Sequence, residues 1–237
     1  AEGVIASRQT RGSVSVLDPF AGSGTTPLAA ERLGVPSIGV EAHPFVYRIA
    51  RAKFGHHADP VAFLKAAREV VTIAKKSRRK VNCDSPLLLK CYRPEALESL
   101  IHLRDSLPLE DEAPPITYLL WLTFVGIARI ASHVGTAPWQ YVLPSRTKRT
   151  TTSPIAAFET MAEMIAEDIA AYECPGPTAT MIQSDARTCE GVPDDFASLV
   201  ITSPPYANNY DYADATRLEM TLLGEIEGWS DLREGVR

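Results

Sequence analysis

The sequence predicts an α/β fold built on a doubly wound parallel sheet, interrupted by a mainly helical insertion. Two observations predict it. Short apolar runs at 14–18 and 36–41 each end on an acid, with a glycine-rich turn and a helical stretch between them. The alternation breaks after Gly55, gives way to helical spacing through residue 172, and resumes with apolar runs at 178–185 and 197–203.

Taken in order, "VSVLD" (14–18) reads as a short buried strand, and "PFAGSGTTPLAAERLG" as a turn entering a helix that Gly34 closes. "PSIGVE" (36–41) is the second strand. "HPFVYRIARAKFG" has helical spacing, with Phe45 and Ile49 on one face and an end at Gly55. Asp59-Pro60 starts a helix whose Val61, Leu64 and Val71 share a face and which runs into "KKSRRK" (75–80). Residues 93–107 and 116–133 read as helices joined by a proline- and acid-rich link, and 152–172 as another, capped by Thr152 or Ser153 with Pro154 in its first turn. "TATMIQSD" (178–185) and "ASLVITS" (197–203) are the third and fourth strands, and 214–229 is a closing helix. The expected organisation is thus a first core part at 1–55, a helical insertion at 56–172 and a second core part at 173–237. A doubly wound sheet normally has further strands, so the core reads as incomplete.

Bulk properties narrow the class. The chain has 237 residues, 45% hydrophobic and 22% charged, with a mean hydropathy of −0.06, an ordinary globular composition. No apolar stretch at the start of this sequence resembles a signal peptide, and a start without Met is what a trimmed chain is expected to show. Its longest apolar segment, 116–131, is interrupted by Gly126 and Arg129 and falls short of the roughly 20 residues of a membrane span. A buried core helix, a cytoplasmic location and no membrane partner are expected. The four cysteines stand far apart and the five histidines form no ligand pattern, so reduced thiols and no metal are expected. A net charge of −5 is not the profile of an autonomous nucleic-acid binder. Positive charge gathers in "KKSRRK" and "RTKR" (146–149), either as solvated faces or as grips for a phosphate backbone.

Four stretches carry chemistry. In "LDPFAGSGTT" (17–26), Gly22 and Gly24 permit close backbone approach, and the helix that follows offers free amides to an anion. Pro27 stands where a dinucleotide fingerprint would need glycine, and no G-K-[ST] follows. Asp18 at the strand end suits a cationic amine, so the turn fits an amino-acid zwitterion better than a pyrophosphate. Glu41, 23 residues after Asp18, stands where an acid accepts from ribose hydroxyls. Asp185, in "SDAR", is either a reader of an adenine edge or a plain cap. In "SPPY" (203–206) the prolines end the strand and stiffen whatever the turn presents.

Together, "DPFAGSGT" and "SPPY" on two halves of one sheet resemble the S-adenosylmethionine-dependent amino-methyltransferases of DNA, over residues 14–54 and 178–225. The resemblance implies a Rossmann-like methyltransferase sheet. It implies cofactor contacts from Asp18, Pro19, Phe20, Ala21, Gly22, Ser23, Gly24, Thr25, Glu41, Ala42, Asp185 and Ala186, and a flipped base held by Ser203, Pro204, Pro205 and Tyr206. The extension "SPPYANNYDYADATRLE" resembles the cytosine-N4 branch, with adenine N6 second and a restriction–modification or phage-defence setting. An exocyclic amine is a poor nucleophile because its lone pair is delocalised into the ring. Ser203 Oγ and the Pro204 carbonyl can accept its two hydrogens and turn the lone pair toward the methyl group, while Tyr206 stacks on the base. No Pro-Cys nucleophile is present, which argues against ring-carbon methylation. An RNA guanine, a protein glutamine amide, or a non-catalytic scaffold subunit are the alternatives. The insertion is assigned either to DNA recognition, with the two basic runs on phosphates and Trp139 or Tyr141 near the bases, or to packing and dimerisation. Partners beyond DNA are a second copy or other restriction subunits.

Overall fold

The computed structural model describes residues 1–108, 115–136, 142–172, 179–205, 214–227 and 231. Its strands are β1 (Val16–Asp18), β2 (Ser37–Glu41), β3 (Val134–Thr136), β4 (Val142–Thr147), β5 (Thr180–Gln183) and β6 (Leu199–Val200). Its α-helices are α1 (Glu2–Gln9), α2 (Thr25–Arg32), α3 (Pro44–Lys53), α4 (Pro60–Lys76), α5 (Pro86–Cys91), α6 (Pro94–Asp105), α7 (Ile116–Ala131), α8 (Pro154–Ala171) and α9 (Arg217–Leu223). The described chain divides into two units, one from within 1–56 and 171–208 and the other from within 57–170 and 209–235.

The first unit carries a parallel sheet of order β5-β2-β1-β6. The chain winds outward from β1 to β2 and β5, then returns to the opposite side of β1. That reversal is the topological switch of a doubly wound, Rossmann-like sheet, and ligands of such sheets sit at the carboxyl ends of the strands flanking it. Leu17 stands opposite Ile38 on one side and Val200 on the other, so β1 is the inner strand at the switch.

Local chemistry explains the connections. Gly34 takes φ +68°, and its amide bonds the Glu31 carbonyl while the Val35 amide bonds the Ala30 carbonyl, both at 2.9 Å. This pair of bonds closes α2 where the sequence places its end. His43 starts α3 by accepting from the Phe45 amide at 3.2 Å, with Pro44 in the first turn. Gly55 does not close α3: the helix ends at Lys53 and tightens into a 3-10 turn over Phe54–His57. Beneath α2, Ile5 packs with Val14, Val16, Ala29, Ala30 and Val35. Ile5 comes from α1, which periodicity does not announce because it is the helix's one buried residue. On β2, a Cβ at Gly39 would lie 2.7–2.8 Å from Met181 Sδ, Pro27 Cγ and Ala21 Cβ. Glycine there lets α2 and the β1–α2 turn settle onto the strand.

The second unit is mainly helical. Asp59 caps α4 by accepting from the Val61 amide at 3.1 Å, and Ser153 caps α8 by accepting from the Ala156 amide at 3.2 Å. Phe63, Ala67, Val70, Val71 and Ala74 form the inward stripe of α4. They join Leu97, Leu100, Leu120, Phe124, Ile127 and Phe158 in one core, together with Leu218 and Leu222 of α9. Truncating a large side chain such as Phe124 would cost about 3–5 kcal/mol. The apolar helix α7 is buried in this core, and no described helix is long and apolar enough to cross a membrane. Tyr92 donates to the Ala128 carbonyl at 2.8 Å and Ser132 to the Cys91 carbonyl at 3.0 Å, tying α5 to both ends of the last turn of α7. An antiparallel ribbon of β3 and β4, which the sequence reading lacks, interrupts the helices. Expected helix 214–229 is shorter: a 3-10 turn over Asp214–Thr216 leads into α9, which stops before Gly224 at φ +79°.

Candidate functional site

The turn after β1 is shaped by its acid. Asp18 is buried, and its carboxylate accepts from the Phe20 amide at 3.0 Å and from the hydroxyls of Thr26 and Thr202. Burial raises its pKa above the ordinary carboxylate value, against the downward pull of those donors. The Ala21 amide bonds the Val40 carbonyl at 2.9 Å, which docks the turn on β2. Gly22 and Gly24 take φ +54° and +83°. A side chain at Gly24 would also press on Ala50 Cβ at 3.3 Å, so α3 lies directly against the turn.

Glu41, at the tip of β2, crosses to the same turn. One carboxylate oxygen accepts from the Gly22 amide at 3.0 Å and the other from the His43 amide at 2.8 Å. Burial is the main cause of its raised pKa, the His43, Gly22 and Ala42 amides pulling it down and Asp18 adding a smaller upward push. α2 starts at Thr25 after Gly24, which supplies no side-chain cap. Leu28 makes the first bond back, to the Gly24 carbonyl at 3.0 Å, which leaves the Thr25 and Thr26 amides ahead of it without a partner inside the helix.

The serine–proline turn leaves β6 beside this site. Past the Leu17–Val200 pair, the Ile201 amide still bonds the Leu17 carbonyl at 3.0 Å. Thr202 reaches the Asp18 carboxylate, and Ser203, Pro204 and Pro205 follow, exposed. The structure thus brings the glycine turn and the start of "SPPY" onto neighbouring strands at one edge. Tyr206 lies outside the described residues, as do Trp139 and Tyr141.

Asp185 is at the same edge of the sheet, two strands away from β1, where the Ser184 amide bonds the Glu41 carbonyl at 3.3 Å. Its carboxylate accepts from the Arg187 amide at 2.8 Å and from the Arg187 guanidinium, which holds its pKa down at about 2. Ala186 follows in a turn rather than in a helix.

Lys53 was not singled out by sequence, yet its Nζ donates to the Ser23 carbonyl at 3.0 Å and to Ser23 Oγ at 2.9 Å. A lysine in the last turn of a helix is expected on dipole grounds alone, which hides its contact with the turn. Behind it, His56 Nδ1 bonds the Lys53 carbonyl at 3.1 Å, and His56 Nε2 bonds the fully buried Glu31 carboxylate at 3.0 Å.

In the second unit, the run 75–80 closes α4. Lys75 pairs with Glu159 at 3.2 Å and Arg79 with Asp105 at 2.7 Å, while Arg78 covers the carbonyls of Lys75 and Ser77. In the run 146–149, Lys148 donates to the Arg129 carbonyl.

Two comparisons with known proteins bear on this arrangement. Residues 5–52, which span β1, the glycine turn, β2 and most of α3, match the N6/N4-type DNA methylase family model. The Type II methyltransferase M.BsoBI of Geobacillus stearothermophilus is 26% identical over 246 aligned residues, covering 90% of this chain and 48% of its own length. The chain therefore spans about half the length of that relative. Both findings support a resemblance to amino-methyltransferases of the N4/N6 type.

Proposed function

We propose that this chain carries the cofactor- and base-binding core of a DNA amino-methyltransferase, acting on cytosine N4 rather than adenine N6. One observation carries the reading: β1 and β6 are neighbours, so the glycine turn and the serine–proline turn leave the same edge on adjacent strands. A methyl donor held by one turn and an amine held by the other would meet there.

The residues present fit S-adenosylmethionine. The first-turn amides of Thr25 and Thr26 and the turn at Phe20–Gly24 suit its methionine end, and the Glu41 carboxylate at the tip of β2 suits its ribose. When bound, the cofactor supplies a methyl group already activated by a sulfonium. Ser203 Oγ and the Pro204 carbonyl accept the hydrogens of the exocyclic amine, which frees its lone pair for in-line attack. Pro204 and Pro205 hold those acceptors rigid, so little reorganisation is needed during transfer. Tyr206 stacks on the extruded base. Asp18 keeps the two turns together through Phe20, Thr26 and Thr202. Asp185 and Ala186 border the adenine.

We assign the helical unit to target recognition, with the basic runs at 75–80 and 146–149 on phosphates. That the Geobacillus relative is a Type II methyltransferase supports a restriction–modification setting. Parallel incubation of duplex DNA, tRNA and protein with enzyme and methyl-labelled cofactor, followed by mass spectrometry of the nucleosides and amino acids, tests the proposal. Labelled N4-methylcytosine is the expected product. Labelled N6-methyladenine moves the reading to the second base, and label in tRNA or protein alone rejects DNA.

A further inference from the structure

We propose that Lys53 is a positioning residue that holds the glycine turn and makes it electropositive for the carboxylate at the methionine end of the cofactor. The assignment rests on the cofactor reading above, but on different atoms. α3 lies against the turn because Gly24 has no side chain, and Lys53 is three residues beyond Ala50, the residue that Gly24 faces. Its ammonium therefore arrives at Ser23, two residues before the start of α2, and bonds both the carbonyl and the hydroxyl.

An ammonium has three donors, and these bonds engage two of them. Among the described residues no carboxylate pairs with Lys53, although it is half-buried. Burial lowers its pKa, as expected for a cation without an anionic neighbour. The charge is also not free to swing away. Its own carbonyl is held by His56, and His56 by the buried Glu31 of α2, so both ends of Lys53 are tied to the turn and the helix it precedes. The first-turn amides of α2, from Thr25 and Thr26, begin two residues further on and have the same sign of charge. An anion placed at this turn is favoured by both. The methionine end presents one anionic group, its carboxylate.

The test compares S-adenosylmethionine with its decarboxylated analogue, by calorimetry, on wild type, Lys53→Met and Lys53→Arg. Lys53→Met is expected to weaken the intact cofactor about tenfold, a loss of about 1.4 kcal/mol, and the decarboxylated compound less than twofold. Lys53→Arg restores most of the difference. Equal weakening of both compounds, or of neither, overturns the assignment. If Lys53→Met does not fold, the wild-type preference decides: less than a twofold advantage for the carboxylate-bearing compound overturns it. Wild type that binds neither compound rejects the cofactor reading itself, a result distinct from the others.

Discussion

Ile201 donates its main-chain N–H to the Leu17 carbonyl across 3.0 Å, so the chain leaving β6 runs beside the chain leaving β1. Two segments separated by more than 180 residues in sequence are thereby held one strand spacing apart. The register, rather than any single side chain, makes the proposed chemistry geometrically available.

Ser203 tests that chemistry with little risk to the fold, because it is exposed. Ser203→Ala is expected to lower the methyl-transfer rate about 100- to 1,000-fold, the usual effect of losing one preorganised polar partner. Cofactor affinity and melting temperature should stay near wild type. Single-turnover transfer at unchanged rate would remove the role given to the hydroxyl.

Gly39 tests the seating of the turn. In Gly39→Ala the new methyl group meets Met181, Pro27 and Ala21 at 2.7–2.8 Å. The Met181 thioether can swing aside, whereas the Pro27 ring and Ala21 Cβ are fixed to the backbone. A destabilisation of about 1–3 kcal/mol follows from such overpacking, measurable by urea denaturation, and Met181→Ala should not rescue it.

His56 gives the first unit a pH dependence with a defined sign. Desolvation alone would lower its pKa, but the bonds to Glu31 and to the Lys53 carbonyl outweigh it, and the folded-state value lies above 6.5. Its contribution is fully present below the unfolded value of 6.5 and is lost as pH rises through the higher folded one. The ring also packs on Tyr172, with centroids 4.2 Å apart and the planes tilted by 44°. Melting temperature should fall as pH rises from 6.5 through the higher folded value, and fall less steeply in His56→Gln. Parallel curves for the two proteins would contradict it.

Arg129 anchors the start of α9. It bonds both oxygens of Glu219, one at 3.0 Å, and the Ala215 carbonyl, and both side chains of the pair are largely buried. Arg129→Ala leaves an unpaired buried carboxylate and should cost about 3–5 kcal/mol, whereas a double replacement by Met at 129 and Leu at 219 should cost much less. Chemical denaturation of the two variants checks the difference.

The features that repeat along the sequence were legible in it. Strands ending on acids, a glycine turn before a helix, the Asp59 and Ser153 caps and the Gly34 stop all depend on neighbours within a few residues. What escaped depends on contacts distant in sequence or on weak periodicity. α1 buries one side chain, α5 has six residues, and β4 runs through the polar string "PSRT" without an alternating pattern. Lys53 and Thr202 looked ordinary, because their partners Ser23 and Asp18 become neighbours only through the packing of α3 and the β1–β6 register.

The bare backbone at Gly39 also has an evolutionary corollary. Since Ala21 and Pro27 both occupy the volume a methyl group would need there, the three positions cannot drift independently. A lineage that acquired bulk on the strand would have to retract the turn or lift the helix in the same step. Substitutions at the three positions are therefore expected to be coupled, the carboxyl edge of this sheet being shaped by all three jointly.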